Sequence, residues 1–151
     1  MKEKELTDLI IQKEDCVTTL INLIEKTSNE EVRKKSLFYL IDNFKDDRII
    51  PFLKKNILSE KFRNKNAIFV YALGEYSNCR NELDFLVNLI VTQDYHVAMN
   101  AYNIIGDYYP EFDKIQLKNA LKIIKDNKNS LKEKEEFIKN VKTFIENELE
   151  D

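Results

Sequence analysis

One pattern recurs three times along this chain: as Val32-Arg33-Lys34-Lys35-Ser36-Leu37-Phe38-Tyr39-Leu40-Ile41-Asp42, as the stretch from Lys65 to Leu73-Gly74-Glu75, and as Val97-Ala98-Met99-Asn100-Ala101-Tyr102-Asn103-Ile104-Ile105-Gly106-Asp107. The copies stand about 32 to 33 residues apart, a period that belongs to stacked helical pairs. A unit of that size cannot bury its apolar face alone. Neighbouring copies must stack, and the stack presents a continuous side surface suited to a large partner.

Composition supports helices. Hydrophobic residues make up 43% and charged residues 34%, with only two Gly and two Pro among 151 residues, so there is little material for tight turns. Long helices with short connections are favoured over a β-sandwich. A chain of this length is expected to form one domain, residues 1–151, and to bury roughly 68 to 70% of its unfolded surface.

The helical segments follow from periodicity and caps. Leu6, Leu9 and Ile10, then Val17, Leu20, Ile21 and Ile24, predict a first helical pair. Ser28 and Glu31 have capping-box spacing and predict a helix starting near Asn29, with Val32, Leu37, Leu40, Ile41 and Phe44 on its apolar face. Pro51 suits the first turn of the next helix, which carries Ile49, Ile50, Leu53 and Ile57. Residues 61–76 and 81–92 form the next expected pair, and residues 94–109 and 113–126 the third. Pro110 ends the helix before it by disfavouring the helical conformation at Tyr109. Ser130 and Glu133 predict the start of a last helix, through Phe137, Ile138, Val141, Phe144, Ile145 and Leu149.

In register, Ser36 corresponds to Phe69 and Ala101, Leu40 to Leu73 and Ile105, Ile41 to Gly74 and Gly106, and Asp42 to Glu75 and Asp107. This pattern resembles HEAT repeats, whose first helix carries a Val-Arg, small residues and a Leu-Gly followed by an acid. Val32-Arg33 and Ala72-Leu73-Gly74-Glu75 match best, and the resemblance covers about residues 29–127. Lys65 stands where Val is usual and Ile41 where Gly is usual. The resemblance implies an all-α, short right-handed α-α superhelix, a HEAT-like solenoid of about four helical pairs with a C-terminal capping helix. It also implies a scaffold or binding protein more readily than an enzyme.

Charge and motifs narrow the chemistry. The formal net charge is −3, which gives no global pull toward nucleic acid or anionic membrane. Cys16 and Cys79 have no zinc-like spacing and suit a reducing compartment. Met1 to Glu5 carry charges of both signs with no signal-peptide core behind them, and the longest apolar run falls far short of the roughly 20 residues that span a bilayer. A cytoplasmic protein is expected, and the Lys-, Asn- and Ile-rich usage points to an A+T-rich bacterial genome.

The single histidine, His96, has Gln93 and Asn100 at helical spacing, so no metal is expected there. Without a Ser-His arrangement, a G-x-S-x-G or a phosphate loop, no catalytic residue and no cofactor are expected. Lys114, Lys118, Lys122 and Lys125 follow one helix side and are expected to be a solvated face.

The expected binding surface is a ladder of acids, Asp42, Glu75 and Asp107, with the repeat-end tyrosines Tyr76, Tyr95, Tyr108 and Tyr109. Tyrosine brings area, rigidity and a hydroxyl to protein interfaces. Tyr71 and Tyr102 fall at core-like phases. The expected function is a non-catalytic protein-binding module, most concretely a bacterial immunity protein that occludes a toxin such as a basic nuclease. The alternatives are a nucleic-acid enzyme similar to the HEAT-like alkylpurine DNA glycosylases, whose basic groove this acidic, Trp-free chain lacks, and an accessory scaffold subunit.

Overall fold

The computed structural model describes residues 13–46, 48–127 and 134–151. Among them stand eight α-helices: α1 Lys13–Lys26, α2 Glu30–Asn43, α3 Ile49–Ile57, α4 Ala67–Gly74, α5 Leu83–Thr92, α6 Tyr95–Tyr108, α7 Lys114–Asp126 and α8 Glu135–Glu150. Short 3-10 turns occupy Glu60–Phe62, Ser77–Asn81 and Tyr109–Glu111, and no strand occurs among the described residues. The fold is all-α. Ser130 to Glu133, where a capping box was expected, lie outside the described residues.

The helix starts follow side-chain chemistry. Asn29, one residue beyond the expected cap, accepts from the backbone N–H groups of Glu31 and Val32. Asp94 accepts from those of His96 and Val97. Asp113 and Gln116 form a full capping box, Asp113 accepting from Ile115 and Gln116 while Gln116 accepts from the Asp113 N–H. Pro110 lies in the 3-10 turn immediately after α6.

The chain resolves into two compact units, residues 1–46 and 47–151. In the first, α1 and α2 pack together, with Ile24, Leu37, Leu40 and Ile41 buried. Arg33 of the Val-Arg motif is buried as well. Its guanidinium donates to the carbonyls of Ile24, at 3.1 Å, and of Thr27, and so satisfies acceptors left open at the end of α1.

In the second unit, α4, α6 and α8 are successive neighbours, and α5 lies against both α6 and α7. α4 and α6 run in the same direction: Asn100 donates to the Ala67 carbonyl at 2.9 Å near one end, and the Tyr108 hydroxyl to that of Gly74 at 3.2 Å near the other. Ring contacts Tyr95–Phe137 and Tyr109–Phe144 show that α6 and α8 also run in parallel. The core holds Phe69, edge-on to Phe52 and tilted on Phe62, with Leu73, Leu83, Leu86, Ile90, Val97, Ala101 and Ile105.

The repeat register shows in burial. Ser36, Phe69 and Ala101 are all buried, as are Leu40, Leu73 and Ile105, while Asp42, Glu75 and Asp107 are all exposed. The helix partnering differs from the expected pairs. Within the second unit the extensive contacts between helices consecutive in the chain join α3 to α4, α5 to α6 and α7 to α8, one helix out of phase with the pairs read from the sequence, and α5 also packs extensively on α7. A two-residue connection, Gln93 and Asp94, brings α5 and α6 together, whereas the 3-10 turn Ser77–Asn81 intervenes between α4 and α5.

Candidate functional site: one helix with two flanks

Helix α6 is packed on one side by α4 and on the other by α8. On the α4 side the approach is close. A Cβ built on Gly74 would lie 2.8 Å from Ile104 Cγ1, so only glycine admits Ile104 at this depth. Tyr108 closes the end of this seam, its hydroxyl donating to the carbonyls of Gly74 at 3.2 Å and Tyr76 at 3.4 Å.

The α8 side is built from rings. Tyr95, Tyr102 and Tyr109 are spaced by seven residues and so share one face of α6, and Phe137 and Phe144 repeat that spacing on α8. Phe137 stacks on Tyr102 at 5.0 Å between centroids and meets Tyr95 at 5.5 Å, and Phe144 meets Tyr109 edge-on at 5.4 Å. Such offset and edge contacts add about 0.5–1.5 kcal/mol each beyond the area they bury. Between the ring pairs the helices leave a mostly apolar groove of about 190 Å³, floored by Gly106 and walled by Tyr102, Ile105, Tyr109, Val141 and Phe144. A Cβ on Gly106 would meet nothing within 4 Å.

The acids gather at the helix ends. Glu75 follows α4, Asp107 lies in the last turn of α6, and Glu146, Glu148, Glu150 and Asp151 end α8. None of these three helices carries a basic residue in its last turn. A carboxylate there opposes the negative end of the helix dipole, at a cost of about 0.3–1 kcal/mol at low ionic strength. Tyr108 senses the same field. Its hydroxyl is held above the ordinary tyrosine value by burial first, then by the nearby Cys79 thiol and the carboxylates of Glu111, Asp107 and Glu75.

Of the expected surface residues, Glu75 and Asp107 are exposed and both lie within electrostatic reach of Tyr108, and Asp42 is exposed in the first unit. Tyr95 and Tyr109 keep 40% and 41% of their surface while contributing to the ring seam. Tyr76 is buried, and Tyr108 is half-buried with its hydroxyl engaged. Tyr71, at a core-like phase in the sequence, is 49% exposed, and Tyr102, also at a core-like phase, is half-buried and lines the groove. The reading of single residues missed Gly106, Phe137 and Phe144. The seven-residue spacing of the aromatics on two distant segments was the signal for the seam.

A second cavity of about 190 Å³ has polar walls and lies where the 3-10 turn at Glu60–Phe62 meets the α5–α6 connection. Asn64 there is left-handed, with φ of 64°, which asparagine tolerates. Buried Asn66 donates to the Ile57 carbonyl at 2.8 Å and to Gln93 Oε1 at 3.4 Å, while its own Oδ1 is buried without a hydrogen bond. Lys134, also buried, donates to the Gln93 carbonyl at 2.5 Å and ties the start of α8 to this corner. Burial lowers its amine below the ordinary lysine value, and Asp94 partly opposes that.

Lys114, Lys118, Lys122 and Lys125 are all exposed on α7, and His96 is exposed with its ring edge-on to Tyr95. Among the described residues no three His, Cys, Asp or Glu side chains converge as a metal site would require, and no helix is long and apolar enough to cross a membrane. No protein-family model matches this chain, and no curated protein or solved structure matches it either.

Proposed function

We propose that this chain is a non-catalytic protein-binding module with the architecture of a short, right-handed HEAT-like solenoid, working in the bacterial cytoplasm as an immunity protein that occludes a basic toxin such as a nuclease. The observation that carries the reading is the set of exposed carboxylates, Glu75, Asp107, Glu150 and Asp151, at helix C-termini where the helix dipole disfavours them. Local rules are broken most often where function demands it. Asp42 repeats the position in the first unit. A partner with a positive surface would relieve the repulsion and be steered in rapidly, and the formal net charge of −3 has the matching sign.

The test is capture of a partner from the native lysate, or of the product of a neighbouring gene, by the tagged full chain and by a variant with Asp42→Lys, Glu75→Lys and Asp107→Lys. All three side chains are exposed, so the fold should survive. The reading expects one basic protein at equal stoichiometry, lost in the variant and weakened at about 0.5 M salt, where screening acts over only a few ångströms. Equal capture by both proteins would remove these acids from the account. Retention of nucleic acid in place of a protein would favour the glycosylase-like alternative.

A further inference from the structure

The groove beside Gly106 has a size, a wall chemistry and a charged outlet that together define an occupant. Its volume of about 190 Å³ exceeds the roughly 150 Å³ of an engineered apolar cavity that takes up benzene. That is room for one aliphatic side chain, entering between Tyr102 and Tyr109 on one wall and Val141 and Phe144 on the other. The floor is open because residue 106 has no side chain, and packing does not demand this, since a Cβ there would touch nothing within 4 Å. Glycine is poorly suited to a helix, and here its effect is to keep the groove deep.

The outlet of the groove is negative. Phe137, Val141, Phe144 and Glu148 follow one another at helical spacing, so Glu148 continues the groove-facing stripe one turn past Phe144. The parallel helices α6 and α8 both direct their C-terminal carbonyls to this end. Glu148 has no ion-pair partner among the described residues, whereas Glu146, two residues earlier, lies 3.9 Å from Lys142.

We infer that the α6–α8 groove is the docking site for a lysine- or arginine-rich segment of a partner protein that carries an aliphatic anchor, the anchor seated over Gly106 and a cation one helical turn away meeting Glu148. The inference rests on the proposed protein-binding function and gives it a place on the molecule. A second copy of this acidic chain would bring like charge to the outlet, which disfavours it as the occupant.

The test uses synthetic probes, so that it stands apart from the capture experiment. The full chain, labelled with ¹⁵N, is titrated with three helical peptides of equal length: one of Leu and Lys in amphipathic order, one of Leu and Glu, and one of Gln and Lys. The expected result is saturable binding of the Leu/Lys peptide alone, with shifts centred on the amides of Gly106 and residues 141–148. Gly106→Leu fills the groove from below and should cost about tenfold or more in affinity, the scale of unseating one buried aliphatic side chain. Glu148→Lys should cost about three- to tenfold and flatten the salt dependence. Circular dichroism and amide dispersion establish that both variants are folded, and Gly106→Ala, a smaller plug, should give an intermediate loss.

Equal binding of the Leu/Glu or the Gln/Lys peptide would overturn the inference. So would unchanged Leu/Lys affinity in folded Gly106→Leu, or shifts at Gly106 that depend on protein concentration without any peptide, which would mark a second copy in the groove. If the Leu/Lys peptide binds as expected but no partner is captured from lysate, the docking site stands and the immunity reading fails. Failure of the peptide with successful capture has the opposite meaning.

Discussion

Helix α6 has one flank against α4 that is closed and one against α8 that is open, and a glycine stands at the same repeat position in each story. Gly74 lies under Ile104 with no room for a methyl group, whereas Gly106 lies under empty space. One residue type at equivalent places in a repeat thus has two unrelated physical causes. In the closed flank, glycine permits two helices to approach. In the open flank, it withholds a side chain from a groove edged by the rings of Tyr102, Tyr109 and Phe144.

The sharpest way to break this contrast is truncation on each side. Ile104→Ala should destabilise the protein by about 2–5 kcal/mol, since its side chain is buried against a seam that cannot collapse further. Phe144→Ala should cost only about 1–2 kcal/mol, because the ring is half-buried and already borders free volume. Both are read from urea unfolding, and equal costs would mean that the two flanks are packed alike.

Single methyl groups sharpen it further. Gly74→Ala should lose about 1 kcal/mol, overpacking against Ile104 outweighing the helix-propensity gain. Gly106→Ala should gain about 0.5–1 kcal/mol, with only the propensity term acting. Opposite signs for the same chemical change are the expected outcome, and matching signs would contradict the geometry.

A last contrast is alkaline. Burial first, then Glu82, pushes the Cys79 thiol from 9.0 up to about 12, with Lys54 partly opposing, and Tyr108 at the closed seam is also raised. A group whose folded value is raised keeps the folded state more protonated, so its stabilisation is complete below the unfolded value and declines as pH climbs through the folded one. Stability should therefore fall as pH rises from about 9 toward 12, less steeply in Tyr108→Phe and in Cys79→Ala. At neutral pH an alkylating reagent should modify half-exposed Cys16 and reach Cys79 only after unfolding.

Much of this was legible in the sequence. Three of the aligned sets share their burial, from buried Leu40, Leu73 and Ile105 to exposed Asp42, Glu75 and Asp107, whereas Ile41, Gly74 and Gly106 are buried, half-buried and exposed in turn. The exposure of Tyr71 was not legible, because α4, Ala67–Gly74, is apolar nearly all round and offers no stripe to say which side faces water. The partnering of α5 with α6 depended on which connection was short, and the 3-10 turn at Ser77–Asn81 carries no strong signal of its own. The groove was hidden for a different reason: its walls come from residues 102–109 and 140–144, and only their shared seven-residue aromatic spacing connects them.

The most direct test of the open flank is the affinity of the Leu/Lys peptide for the wild-type chain against folded Gly106→Leu under identical salt. The account predicts a loss of about tenfold or more when the groove is filled, from unseating one aliphatic anchor. An unchanged affinity would show that nothing seats above Gly106 and that its open floor has no part in binding.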